Sequence, residues 1–298
     1  MMILLFAIAF LAVVAGLALK IPFVQTYAYP LGWWSLIGFL ESLCRRYGWA
    51  TAFSRPILSR RNAALCFFSA ALWGIFELYD VLIANWHYVA VPENPWIWMP
   101  NTFLSFATVM PAILAFENLL SGLHAFACLE TRRFDLTENF LSLLVVLGWT
   151  LTILPLTQPE LFFPFVWGGF TFLLEPWNYR MRDPHSILRQ ASEGRPGLFL
   201  RLLGSGFLCG FLWESLNYFA TTKWIYTVPV IGHWKVFEMP VAGYVGFPVF
   251  GVEAYVMYRF AFNLYERCKP AGRFLLLLLG FLLIAMTFPA VAQHSFFR

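Results

Sequence analysis

Long apolar runs, interrupted by short clusters of Arg, Pro, Gly and acidic residues, make up most of the chain. A bilayer-spanning helix needs about 20 predominantly apolar residues. Windows meeting that condition run near 2–19, 64–84, 101–122, 139–156, 160–175, 198–220, 240–261 and 274–292. They predict an all-α polytopic membrane bundle of about eight spanning helices. The first window opens Met1-Met2 with no basic stretch, and Ile21-Pro22 is not a small-residue cleavage site, so it reads as a retained anchor. Ile21 to Leu40 carries no charge either. Counted as a span, it gives nine crossings and an inside N-terminus. Pro22, Gln25, Pro30 and Gly32 argue instead for an interfacial or re-entrant segment with Trp33 and Trp34 at headgroup level.

Composition closes off the soluble alternatives. Of the 298 residues, 60% are hydrophobic and 12% charged, against about 25% charged in soluble domains. Mean hydropathy is +0.68. A cytosolic enzyme, a disordered chain and a secreted disulfide scaffold are all excluded on this balance. With eight spans, the loops 20–63, 123–138, 176–197 and 259–273, together with Arg201, hold 17 of the 20 Lys and Arg; only Lys223, Lys235 and Arg298 fall elsewhere. Cytoplasmic loops carry the excess of basic residues, so this reading puts both termini outside, in a bacterial inner membrane. The net charge of +4 then reflects topology and gives no reason to expect nucleic acid. Cys44, Cys66, Cys128, Cys209 and Cys268 form no CxxC pair and read as five reduced thiols.

Two stretches resemble each other. WGIFELYDVLIANWHY, a loop and MPNTFLSFATVMPAILAFE (73–117) match FLWESLNYFATTKWIY, a loop and MPVAGYVGFPVFGVE (211–253). Glu77-x-x-Asp80 aligns with Glu214-x-x-Asn217, Trp86-x-Tyr88 with Trp224-x-Tyr226, and Met99-Pro100 with Met239-Pro240. Pro111 then Glu117 aligns with Pro248 then Glu253. Both stretches cross in the same direction, which predicts parallel repeats about an axis along the membrane normal. The organisation read from this is an anchor and basic segment (1–61), repeat unit one (62–156), a linking helix with a basic loop (157–196) and repeat unit two (197–298).

Carboxylates at membrane depth are expensive, on the order of 2.5–3.5 kcal/mol by insertion scales, and must be paired, neutral or turned inward. Glu77 and Asp80 share a helix face, as do Glu214 and Asn217, because positions i and i+3 are neighbours. These four are the candidate catalytic residues; interhelical hydrogen bonding that glues two halves together is the competing reading. Trp86, Tyr88, Trp224, Tyr226 and Glu238 are candidates for contacting a substrate. Glu117 and Glu253, nearer the inner side, favour glue or an Arg partner. His87 and His233 lie in aromatic outer loops without HExxH or ExxH spacing, so interfacial packing is favoured over metal binding. Gly206-x-x-x-Gly210 reads as a close-packing motif. No Walker, dinucleotide, GxSxG or DxD signature is present, and no cofactor is implied.

The order Asn217-Tyr218, Trp224-x-Tyr226, Met239-Pro240, matched by Asp80, Trp86-x-Tyr88 and Met99-Pro100, resembles the membrane lycopene cyclase domain of the heterodimeric, cofactor-independent type and related carotenoid-modifying membrane proteins. The resemblance covers most of 73–117 and 211–253. It implies a duplicated three-helix unit and an isoprenoid ligand. That family opens the helix after the loop with Pro-x-Glu-Glu; here the positions are Pro100-Asn101-Thr102 and Pro240-Val241-Ala242. Both family carboxylates are absent, so the fold and the ligand class carry over but the reaction does not. Two functions follow as expectations: cofactor-free acid–base chemistry on an isoprenoid-like lipid, with Glu77 and Glu214 as acids, or a non-catalytic lipid or pigment binder, transporter or assembly partner.

Overall fold

The computed structural model describes residues 1–228 and 234–297; His233 lies outside them. In chain order the elements are α1 (Met2–Ala18), α2 (Pro22–Arg46), α3 (Arg60–Ile83), β1 (Trp86–Val91), α4 (Pro95–Phe106), α5 (Val109–Gly122) and α6 (Glu138–Thr157). Then come α7 (Pro159–Phe162), a 3-10 turn (Phe163–Val166), α8 (Gly169–Arg180), α9 (Ile187–Ser192) and α10 (Gly197–Phe219). The chain ends with β2 (Lys223–Tyr226), β3 (Lys235–Val236), β4 (Met239–Pro240), a second 3-10 turn (Val241–Val245), α11 (Gly246–Arg267), α12 (Pro270–Gln293) and β5 (Ser295–Phe297). Among the described residues, six helical stretches are long and apolar enough to cross a membrane: α3, α4–α5, α6, α10, the turn–α11 unit and α12. The chain is thus an all-helical bundle of the integral membrane type.

Two of the eight expected windows behave differently. The first becomes a 17-residue helix, about 25 Å long at 1.5 Å per residue. The window 160–175 is not one helix: Pro159 and Pro164 open two short turns, and Gly168, at φ +109°, starts α8 afresh. Only glycine takes that backbone without strain.

The segment expected at the interface is a 25-residue helix, α2, packed antiparallel on α1, with Gly16 against Val24 and Gly38 against Phe6. Trp33 is fully buried within the protein. Two of the residues that argued against a span, Pro30 and Gln25, are compensated internally. Pro30 has no N–H, which frees the carbonyl of Thr26; Asn101 Nδ2 donates to it at 3.4 Å, and the helix bends at Tyr27. Gln25 Nε2 donates to the Leu17 carbonyl (2.9 Å), while its Oε1 accepts from Thr221 (2.9 Å). Internal satisfaction of such groups is what a lipid environment demands.

Four helices form the centre: α3 packs on α5, and α10 on both α5 and α11. α10 and α11 cross where Gly206 meets the Phe247 carbonyl and the backbone of Gly251, so a side chain there would collide with main chain. The expected close packing at Gly206 and Gly210 therefore has a specific partner. At the α4–α5 break, Ser69 Oγ donates to the Phe106 carbonyl (2.7 Å) and accepts from Met110 N–H (3.0 Å). The α1–α2 hairpin lies against α5, the α6–α8 pair against α11, and α12 against α3.

The termini of these helices carry polar clamps. Glu41 accepts from the N–H groups of Ala52 (2.8 Å) and Phe53 (3.3 Å). Asp183, fully buried, takes both prongs of Arg259 (2.7 and 2.8 Å) and Asn263 Nδ2 (2.8 Å). Burial alone would raise the Asp183 carboxyl, but hydrogen bonding and charge from Arg259 outweigh it and hold it below its ordinary value.

Candidate functional site

Directly after α3, Ala84 takes a left-handed conformation and the chain enters β1; α10 ends at Ala220 and leads into β2. The two strands pair antiparallel, Trp86 opposite Tyr226, His87 opposite Ile225 and Tyr88 opposite Trp224. On the other edge β1 pairs parallel with β5. Alternate residues of a strand share a face, as do directly opposed partners. Trp86, Tyr88, Trp224 and Tyr226 consequently form one aromatic patch.

That patch walls a cavity of about 420 Å³. Its other aromatic walls include Tyr29 from α2, Trp73 from α3, Trp98 from α4, Trp167 before α8 and Trp213 from α10. The rings interlock around Phe250, which meets Trp73, Trp167 and Trp213 at centroid distances of 5.6, 5.6 and 5.8 Å. Sequence reasoning did not find Tyr29, Trp73, Trp98, Trp167 or Trp213 as cavity residues. Trp73 and Trp213 carried a usable signal, since they sit four and one residues before the singled-out glutamates on apolar helices.

Glu77 and Glu214, two of the four candidate catalytic residues, do not line the cavity. They stand one layer behind, 2% and 0% exposed. Tyr88 Oη donates to Glu77 Oε1 at 2.6 Å, and Tyr226 Oη donates to Glu214 Oε1 at 2.7 Å. The phenols are on the wall and the carboxyls back them. Burial, and then the adjacent carboxyl, pushes both phenols well above their usual 10, so each remains a neutral donor.

The surroundings of the two pairs differ. Trp73 Nε1 also donates to Glu77 Oε1 (2.8 Å). Glu214 has only Tyr226, and its Oε2 is buried without a partner. Asp80, which shares a helix face with Glu77, makes no bond to it: its Oδ1 accepts from Asn85 N–H (2.8 Å) and Trp86 N–H (3.3 Å), clamping the entry to β1. Asn217 clamps β2 by accepting from Trp224 N–H and donating to the Trp224 carbonyl, both at 2.9 Å. Asn217 touches the cavity wall, and Asp80 does not. Glu238, expected at the substrate, lies off the wall and pairs with Lys223, which is on it.

Glu117 and Glu253 part company. Pro111 and Pro248 are both the third residue of their helices, but Glu117 is the ninth residue of α5 and Glu253 the eighth of α11. One residue is about 100° of helix, so they point differently. Glu117 pairs with Arg201 (2.8 Å), and Glu253 accepts from Phe170 N–H (2.8 Å). Both act as interhelical glue. Among the described residues no cluster of His, Cys, Asp or Glu has the makings of a metal site.

No family model, curated protein or solved structure matches this chain. Its reading therefore rests on the residues themselves.

Proposed function

We propose that the protein binds a long, apolar, isoprenoid-like molecule in the aromatic cavity and performs cofactor-free acid–base chemistry on it through the two carboxyl–tyrosine pairs. The observation that carries this is the twofold occurrence of a phenol on the wall with a buried carboxyl behind it. A wall that is mostly aromatic and aliphatic, with polar groups such as Asn101, Asn217 and Lys223 among them, suits a long apolar chain whose orientation a few polar contacts fix. With the carboxyl protonated the hydrogen bond would reverse, Glu77 or Glu214 donating to Tyr88 or Tyr226 Oη, and the phenol, its O–H turned toward the cavity, would give its own proton to an alkene as it takes one from the carboxyl. The carbocation so formed would lose a proton, or add water, at the other pair. Tyr88 and Tyr226 are then the catalytic residues and Glu77 and Glu214 their proton reservoirs. The resemblance of the Trp-x-Tyr units to carotenoid cyclases supports the ligand class.

The chain is also read as a duplication: α1, α2, α3 and α4–α5 answering to α6, α7–α8, α10 and α11, with α12 added. Support comes from Glu41 and Glu175, which sit 134 positions apart, as do Trp33 and Trp167. Each glutamate accepts backbone N–H groups 11 to 13 residues further on. The basic ends of these helices are assigned to the cytoplasm. Because α1 and α2 form an antiparallel hairpin, Met1 then lies inside, the alternative weighed for nine crossings. Lys20 moves to the outer side, so the basic split becomes 16 to 4, from 17 to 3.

A non-catalytic binder is the second reading, favoured by one observation: each Tyr–Glu bond also ties a strand to a helix, which is what glue does. Substitution separates the two. Glu214→Gln and Tyr226→Phe should leave folding intact and abolish turnover of whichever isoprenoid lipid co-purifies, followed by mass spectrometry. Unchanged lipid composition in cells carrying either variant would favour the binder.

A further inference from the structure

The aligned stretches of the two halves close differently around the cavity. Met99-Pro100 aligns with Met239-Pro240, and Pro30 stands 134 positions before Pro164, the spacing of Trp33 and Trp167. In the first half both stretches are helical, in α2 and α4, and they are bonded together: Asn101 donates to the Thr26 carbonyl and Trp34 to the Leu104 carbonyl. In the second half both are 3-10 turns, Phe163–Val166 and Val241–Val245. Gly168 stands where that spacing places Trp34, and among the described residues no backbone hydrogen bond joins the two turns. Exposure follows the difference. Ser105, five residues past the first aligned proline, is 8% exposed, and Val245, five past the second, is 71% exposed. Pro30 is buried and Pro164 exposed. Pro164, Ala242 and Val245 are at once exposed and part of the cavity wall, so the cavity opens between the turns.

The rim of this opening is apolar: no charged residue lies in 161–174 or 239–252. Its floor, where Gly168 packs on Val249 and Gly246 on Trp167, lies at membrane depth. α6 begins at Glu138, which pairs with Arg180 at the basic helix ends. Thr152, against which Gly169 packs, is fourteen residues further along α6, or about 21 Å, within a hydrocarbon layer of about 30 Å.

We infer that the cavity loads sideways: its ligand passes between the two 3-10 turns from the hydrocarbon of the leaflet opposite the basic helix ends. An apolar chain taking this path never exchanges its apolar surroundings for water. The inference rests on the isoprenoid reading of the cavity and adds the phase from which the molecule is drawn and the door it uses. The other approach, from water, passes the Lys223–Glu238 pair, which ties β2 to the residue before Met239 of the wall.

The probe is all-trans-retinol, an isoprenoid whose polyene accepts tryptophan emission, supplied in phosphatidylcholine vesicles to the full-length protein reconstituted in the same lipid. Saturable energy transfer reports binding, and stopped-flow mixing gives the loading and release rates. Ala242→Phe combined with Val245→Phe narrows the door and should slow loading and release together, each about tenfold, because a blocked route raises the barrier in both directions. A merely damaged cavity would instead speed release. Pro164→Phe, on the opposite rim, gives the same test if the double variant does not accumulate. Glu238→Gln should leave both rates unchanged. Unchanged rates in the rim variants would overturn the sideways route, as would faster loading in Glu238→Gln, which would place entry on the aqueous side; either result leaves the isoprenoid reading standing. Absence of saturable transfer in the unmodified protein would overturn the isoprenoid reading, and this route with it.

Discussion

The two carboxyl–tyrosine pairs share a geometry and differ in what surrounds them. Around Glu77 the chain supplies a second donor, Trp73, and a second carboxyl, Asp80. Four residues before Glu214 stands Gly210, and three after it Asn217, so Glu214 keeps one donor and an unpartnered oxygen. Asp80 can only accept when ionised, whereas Asn217 accepts and donates at once. Two sites built to one plan have thus been given unequal polar support. An unequal pair would suit a reaction with a distinct proton donor and proton acceptor, but the helix joint at Glu253 also keeps one donor and an unpartnered oxygen, so the difference alone does not separate catalysis from glue.

The packing beneath the two pairs is unequal too, and here the largest effect is expected. Gly206 lets α10 touch the α11 backbone, while Ser69 reaches the α4–α5 break with its hydroxyl. Gly206→Leu should cost about 3 kcal/mol or more by overpacking against main chain, seen as loss of folded protein in detergent. Ser69→Ala should cost about 1 kcal/mol, the usual value of a lost interhelical hydrogen bond, read by thermal unfolding. Equal losses would remove the packing contrast.

The hydroxyl deletions sharpen the comparison at the pairs themselves. Tyr226→Phe leaves Glu214 with no donor, which should cost about 1–3 kcal/mol. Tyr88→Phe leaves Glu77 with Trp73 and should cost roughly half as much on the same scale. A reversed order in thermal unfolding would mean that Trp73 does not support Glu77 in the membrane-embedded protein.

The smallest effect is a pH dependence at the helix ends, where Asp183 accepts from a cation and Glu41 mainly from backbone N–H groups. The folded Asp183 carboxyl lies below its ordinary 3.8. A depressed acid contributes stability that is complete above the unfolded value and is lost as pH falls through the folded one. Midpoints should therefore hold steady down to about pH 4 and then fall, and Asp183→Asn should flatten that fall. A fall of the same size in the Asp183→Asn protein would assign it to another group.

Hydrophobic length made the six long apolar helices legible, and the Gly206 spacing made the α10–α11 contact legible. α2 was hidden because its Pro and Gln looked unsatisfiable in lipid; their partners, Asn101 and Thr221, are about 70 and 200 residues away and no local pattern announces them. The window 160–175 looked continuous because hydropathy does not register Pro and Gly as breaks. At the candidate site, the residue types were legible but not their layering. An apolar sequence shows that a carboxyl needs company, and only the strand register shows that tyrosine supplies it. Glu117 and Glu253 looked equivalent in linear spacing and were separated by one residue of helical turn.

The pairing of β1 with β2 has one more consequence. It joins the part of the chain before the 123–137 connection to the part after it, and so do Gln25 with Thr221, Thr222 with the Ala90 carbonyl and Thr227 with Asn85 and Ala84. The connection itself is largely exposed and supplies none of these bonds. The covalent link is thus separate from this joint: a chain cut there would present two fragments that keep the β1–β2 pairing and the Thr221, Thr222 and Thr227 bonds, and lose at most the bonds the connection itself makes to Ser192 and Gly194.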